Sequence, residues 1–118
     1  MRKMLLFITM LFGFVTTSFA QSDYYIKKAQ SYQREAEYYQ KKAEGYRREA
    51  TYYLKKSEGY QREAAYYTKR GDIDRAKTQT RYAEDAIDKY KTQLRYASDA
   101  DDKASMYLHW AADALKKH

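Results

Sequence analysis

Two histidines, His109 and His118, and a complete lack of cysteine set narrow limits on the chemistry of this 118-residue chain. Without cysteine there is no disulfide framework, no cysteine-ligated zinc and no thiol nucleophile. His109 and Asp113 stand four apart and so share a helix face. That spacing suits a shared metal or, more simply, an i,i+4 ion pair. Asp99, Asp101 and Asp102 gather three carboxylates but lack the glycine turn of a calcium loop. They read as a solvated face with one aspartate turned inward. No serine, histidine and acid are spaced as a nucleophile and its base. The chain is therefore expected to be no enzyme, with no catalytic residue, metal, cofactor or small-molecule substrate.

Charge and aromatic surface remain. Lys27, Arg34, Lys41, Arg48, Lys55, Arg62 and Lys69 recur every seven residues with tyrosines between them. Cations interleaved with rings suit a single-stranded nucleic acid, and equally an anionic glycan or lipid headgroups. Residues 24–70 hold 12 Lys/Arg against 6 Asp/Glu, whereas 71–118 hold 9 of each. An anionic polymer would thus favour the first part. Glu37, Glu44 and Glu58 each precede a stripe cation by four residues, the favourable order for helix-surface ion pairs, and partly neutralise it. Arg70-Gly71-Asp72 spells a tripeptide that many integrins recognise, but a helix stop and start accounts for all three residues.

The elements that carry these groups are written in a repeat. Residues 24–37 read YYIKKAQSYQREAE, 38–51 YYQKKAEGYRREAT and 52–65 YYLKKSEGYQREAA. The second part repeats with the same period of fourteen: 77–90 is KTQTRYAEDAIDKY and 91–104 is KTQLRYASDADDKA. Fourteen is two heptads. In the first part alanine, once serine, holds position a at 29, 36, 43, 50, 57 and 64, while tyrosine holds d at 25, 32, 39, 46, 53, 60 and 67. This spacing marks a helix that buries one seam against another helix. The second part continues with Ile73, Ala76, Thr80, Ala83, Ile87, Tyr90, Leu94, Ala97, Asp101, Ala104, Leu108, Ala111 and Leu115, out of phase with the first. The phase breaks at Gly71-Asp72, where glycine suits a helix end and aspartate an N-cap.

These observations predict an all-α fold: a long antiparallel two-helix hairpin of coiled-coil type, with a helix over 24–70, a turn at 71–72 and a helix over 73–117. Folding back at Gly71 pairs positions n and 143 − n, setting Tyr67 on Ala76, Tyr60 on Ala83, Tyr46 on Ala97, Tyr39 on Ala104 and Tyr32 on Ala111. At 144 − n, Ser57 meets Ile87, Ala50 meets Leu94, Ala36 meets Leu108 and Ala29 meets Leu115. Large faces small, as a filled seam requires. Tyr53 against Tyr90 and Ala43 against Asp101 depart from this rule. The arms run out together, where Tyr25 would face His118.

One seam leaves aromatic surface over. Tyr24, Tyr38, Tyr52 and Tyr66 occupy position c, alternating with Ser31, Gly45 and Gly59, and the second helix carries Tyr82, Tyr96 and Trp110 at the same period. Ala86, Ala100, Tyr107 and Ala114 flank its seam on the other side. Mid-helix glycine is unfavourable, so Gly45 and Gly59 point to a close approach by something. The expectation is a homo-oligomer in which these rings and glycines form the association surface, building a helical bundle.

At the N-terminus Arg2 and Lys3 precede an apolar run over 4–15, and Ser18-Phe19-Ala20 places small residues where a signal peptidase reads. Residues 1–20 are expected to be a signal peptide and 21–118 the hairpin. The apolar run is shorter than the ~20 residues a spanning helix needs. The protein is expected to be secreted, periplasmic or extracellular, and not held in a membrane after cleavage. The favoured function is an exported, non-enzymatic module that self-associates, builds structure or binds another protein. The alternative is a holdase-type chaperone or polyanion binder that uses the basic stripe. Some periplasmic chaperones cradle unfolded outer-membrane proteins with basic helical arms, and this chain is similar to them in architecture alone. The stretch 71–76 looks like the start of a tetratricopeptide helix, but the period is not that family's 34 residues.

Overall fold

The computed structural model describes residues 20–117. They form two helices and no strand among them: α1, Ala20–Lys69, and α2, Ile73–Leu115. The expected signal peptide falls, but for its last residue, outside the described residues, as does His118. The molecule is an antiparallel helical hairpin. Alanine, glutamate, lysine, arginine and glutamine fill both helices without a proline, and all five are good helix formers. Asp23 and Asp74 lie in the two first turns and Lys69 in the last turn of α1, each matched to the helix dipole. Among the described residues no helix is long and apolar enough to cross a membrane.

The bend is made wholly by Arg70-Gly71-Asp72. Gly71 takes φ +78°, in the left-handed region that favours glycine. The Asp72 N–H donates to the Tyr67 carbonyl at 2.9 Å and the Gly71 N–H to that of Thr68 at 3.1 Å, the paired bonds of a Schellman stop. Asp72 then caps α2. Its Oδ1 accepts from the Arg75 N–H at 3.2 Å, and its carbonyl takes the first helical bond from Ala76 at 3.1 Å.

Packing along the helices divides into two compact units, one built from the chain up to Lys41 and from Asp101 onward, the other Lys42–Ala100. In the first, Ala29, Ala111, Ala114 and Leu115 form a core with Ile26 and Tyr32 laid on it. A second cluster joins Ala36, Ala104 and Leu108 under Tyr39 and Tyr107. Rings thus lie on methyl-sized residues, as the pairing expects. In the second unit Ala43, Ala50 and Ser57 of α1 are buried, with Ala76, Ala83, Ala86, Ala97 and Ala100 of α2. The Ser57 hydroxyl accepts a bond from the Gln61 amide at 3.4 Å.

The seam of α2 needs one correction. Ile73 is 50% exposed and Leu94 38%, although both belong to the expected stripe. Ala86, Ala100 and Ala114, expected on a flank, are buried instead. α2 turns a broad alanine face toward α1, a flat bed that accepts tyrosine rings; Ile73 and Leu94 lie outside it, while Leu108 and Leu115 stay buried. Large side chains are scarce inside. Among the described residues the largest one under 2% exposed is Ser57.

Candidate interaction surface

The rings at position d of α1 are half-buried, and the six from Tyr32 to Tyr67 meet α2 in one register, position n against 142 − n. Tyr32 lies 5.7 Å from Trp110, Tyr46 5.4 Å from Tyr96 and Tyr60 5.4 Å from Tyr82, ring centre to ring centre. Between these levels the partner is a cation. Lys103 Nζ stands 5.3 Å from the Tyr39 ring centre, Lys89 Nζ 5.5 Å from Tyr53, and the Arg75 guanidinium 5.7 Å from Tyr67. Ring pairs at these distances and cations over ring faces are both attractive. Tyr53, expected to face Tyr90, thus carries a lysine over its ring. In the first unit Tyr107 completes the cluster, stacked on Tyr39 at 5.7 Å and 8° and edge-on to Trp110 at 5.3 Å.

The outer row follows the same beat. Tyr24, Tyr38, Tyr52 and Tyr66 stand edge-on to the next tyrosine along α1, at 5.1, 5.1, 5.2 and 5.4 Å. They occur at the levels where α2 offers a cation. Where α2 offers a ring, α1 has Ser31, Gly45 or Gly59. Every level therefore carries one outer ring. All seven of these rings, Tyr24, Tyr38, Tyr52, Tyr66, Tyr82, Tyr96 and Trp110, are between 40% and 60% exposed.

The beat also repeats in the relief of the surface. In the first unit a groove of about 220 Å³ is lined by Tyr25, Lys28, Trp110 and Lys117 among others. The second unit has its counterpart of about 150 Å³, lined by Tyr53, Lys56, Tyr82 and Lys89. Lysines cross the outer rings. Lys28 Nζ is 5.8 Å from the Tyr24 ring centre and Lys56 Nζ 5.3 Å from that of Tyr52. A hydrogen bond with the Tyr52 hydroxyl raises the Lys56 pKa above the ordinary lysine value. Arg70 covers Tyr66 at 5.2 Å and donates to its hydroxyl.

No known family model, curated protein or solved structure matches this chain.

The two glycines lie open on the surface of α1. A Cβ at Gly45 would meet only the Arg48 Nη2 at 3.9 Å, and one at Gly59 only the Arg62 Nη2 at 3.8 Å. Nothing among the described residues presses on either, so packing between α1 and α2 does not require the missing side chain. The basic stripe, Lys27 to Lys69 in steps of seven, is exposed along its length. Glu37, Glu44 and Glu58 do not close the expected ion pairs with it. His109 Nε2 and Asp113 Oδ2 do pair, at 3.5 Å. Among the described residues no three metal-ligating side chains converge.

Sequence reasoning placed Tyr82, Tyr96 and Trp110 on a free association surface, but each is also a partner of the seam tyrosines. It missed Arg75, Lys89 and Lys103 as partners of the rings. The signal was present in the row 75, 82, 89, 96, 103, 110 and 117, which alternates cation and ring without exception.

Proposed function

We propose that this protein is an exported, non-enzymatic helical hairpin that associates with itself and serves as a structural or interaction module. Seven half-exposed rings on a hairpin whose core is mostly alanine carry this reading. Apolar surface in contiguous rows marks an interaction site, and a core of methyl-sized groups supplies little burial for each residue. Covering the outer rings with further copies would add what the seam lacks, and association of this kind stabilises a fold by mass action. Export is supported by the basic start, the apolar run over 4–15 and Ser18-Phe19-Ala20.

Sedimentation equilibrium across a concentration series tests the proposal. Association should appear at micromolar concentrations and persist in high salt. A well-folded monomer at high micromolar concentration would end it.

A second reading draws on the basic stripe, whose cations are exposed and locally unpaired with glutamate. It makes the protein a binder of anionic polymers or a holdase for unfolded chains. Binding through such a stripe weakens steeply with salt, and substituting Tyr38 and Tyr52 leaves it intact while damaging self-association.

A further inference from the structure

The last copy of the α2 repeat, 105–118, differs from the earlier copies at most positions. Only Ala111, Asp113, Ala114 and Lys117 match both 77–90 and 91–104. Ala111 and Ala114 belong to the core. Asp113 and Lys117 do not, yet both line the groove of the first unit, with Trp110 of α2 and Tyr25, Lys28 and Tyr32 of α1. The groove of the second unit is lined by their counterparts, Tyr82, Asp85 and Lys89 with Tyr53, Lys56 and Tyr60. Each α1 residue of that set stands two repeats after its equivalent and each α2 residue two repeats before. A buried alanine, Ala114 or Ala86, lies in both. The one difference is tryptophan for tyrosine at 110.

The hairpin itself has little use for the carboxylate. Aspartate is among the weaker helix formers, and it recurs here at 85, 99 and 113. Asp85 has no hydrogen-bond or ion-pair partner among the described residues. Asp113 meets only His109, at 3.5 Å. Neither forms an ion pair with the two lysines of its own groove. The lysines lie over rings instead, Lys28 on Tyr24, Lys56 on Tyr52 and Lys89 on Tyr53. Each groove thus offers two cations, one carboxylate and aromatic surface, with the opposite charges left apart.

We propose that each groove binds a uronic acid unit of an acidic polysaccharide lying along the surface. A sugar ring presents a face of C–H groups, which packs on an aromatic ring such as Trp110 or Tyr82, 40% and 48% exposed. Its carboxylate suits the lysines, and its hydroxyls donate to the aspartate, a charge-assisted bond. At about 220 and 150 Å³ the grooves are smaller than the roughly 300–1,000 Å³ that encloses a drug-sized ligand, and suit one ring of a polymer. A phosphate-rich strand fits less well. Binders of single-stranded nucleic acid line their grooves with cations, and a carboxylate in each groove repels phosphate. Of the seven outer rings only Tyr82 and Trp110 line these two grooves, so the α1 row is a separate surface.

Trp110 is the only tryptophan of the chain, so its fluorescence reads the first groove directly. Short oligomers of galacturonate and of guluronate are titrated into the purified protein, beside a neutral galactose oligomer and oligothymidylate. At least one uronate should shift the Trp110 emission saturably, and bind about tenfold more tightly than the neutral oligomer. Asp113→Asn should weaken that binding about tenfold, through one lost hydrogen bond to a charged acceptor, with the circular dichroism spectrum unchanged. A ligand held by cations alone responds with the opposite sign, because the substitution removes a negative charge. Tighter or unchanged binding to Asp113→Asn therefore overturns the proposal. So does a Trp110 signal that neither uronate moves, or one that oligothymidylate moves at equal affinity. Lys28→Gln should weaken uronate binding, whereas Lys27→Gln, on the exposed stripe outside the groove, should leave it within about twofold. Equal losses would assign the ligand to the stripe and overturn the site.

Discussion

Replacing Gly59 by alanine should move stability and assembly in opposite directions. In the folded hairpin a Cβ at this position touches only the tip of Arg62, at 3.8 Å, an ordinary contact with a flexible group. There is no steric cost to set against helix propensity, which favours alanine over glycine by about 0.8–1.0 kcal/mol in a helix interior. For a domain of this size that corresponds to a rise in Tm of about 4–8 °C. The same methyl group fills a notch on the surface expected to carry self-association, so association should weaken several-fold. Thermal melts followed by circular dichroism at concentrations too low for assembly read the first effect, and sedimentation the second. A lower Tm for the variant monomer would refute the reasoning, because it would mean that the chain already packs something against Gly59. An unchanged association constant would show that the notch is not where a second copy docks.

Trp110→Ala removes ring contacts with Tyr32 and Tyr107. At about 0.5–1.5 kcal/mol per contact beyond the lost burial, the variant should be destabilised by about 2–3 kcal/mol in urea denaturation; a loss below a few tenths would show that the ring contributes nothing to the hairpin. Gly71→Ala forces an L side chain to φ +78° and should cost about 1–2 kcal/mol, and Asp72→Ala should cost about 1 kcal/mol through the lost cap. Neutral outcomes in the same melts would detach these residues from the turn. Tyr52→Phe removes the hydroxyl that raises the Lys56 pKa, so the Lys56 titration followed by NMR should shift down toward the ordinary lysine value. Because the folded-state value is the raised one, whatever stability this bond adds is present below the ordinary lysine pKa, near 10.5, and fades as pH climbs through the raised value.

The hairpin was legible because its rules are local. Alanine at 29 and 36 and tyrosine at 32 and 39 keep a strict heptad, and Gly71-Asp72 breaks the phase with the two residues best suited to stop one helix and cap the next. The face that α2 presents was less legible. Hydropathy favours Ile73 and Leu94 over alanine, yet a helix that must receive tyrosine rings buries its flattest surface, and Ala86 and Ala100 win. The cation partners of Tyr39, Tyr53 and Tyr67 escaped because lysine and arginine at helix positions read as solvated. Their contribution depends on a ring in the other arm, which no local window contains. The spacing of Gly45 and Gly59 does not reveal that the described residues leave them uncovered.

The register n against 142 − n also says which edits of length the molecule can absorb. Removing one heptad from each arm at matching levels leaves every seam tyrosine opposite its own Lys, Arg or ring, so the hairpin alone needs a module of only seven. Such a cut would bring two glycines, or two tyrosines, into succession on the outer row of α1. Only matched cuts of fourteen, such as 45–58 together with 84–97, preserve both faces, shortening each arm by about 21 Å. The seam is thus indifferent to whether the repeat counts seven or fourteen, and the doubling is a demand of the outward side.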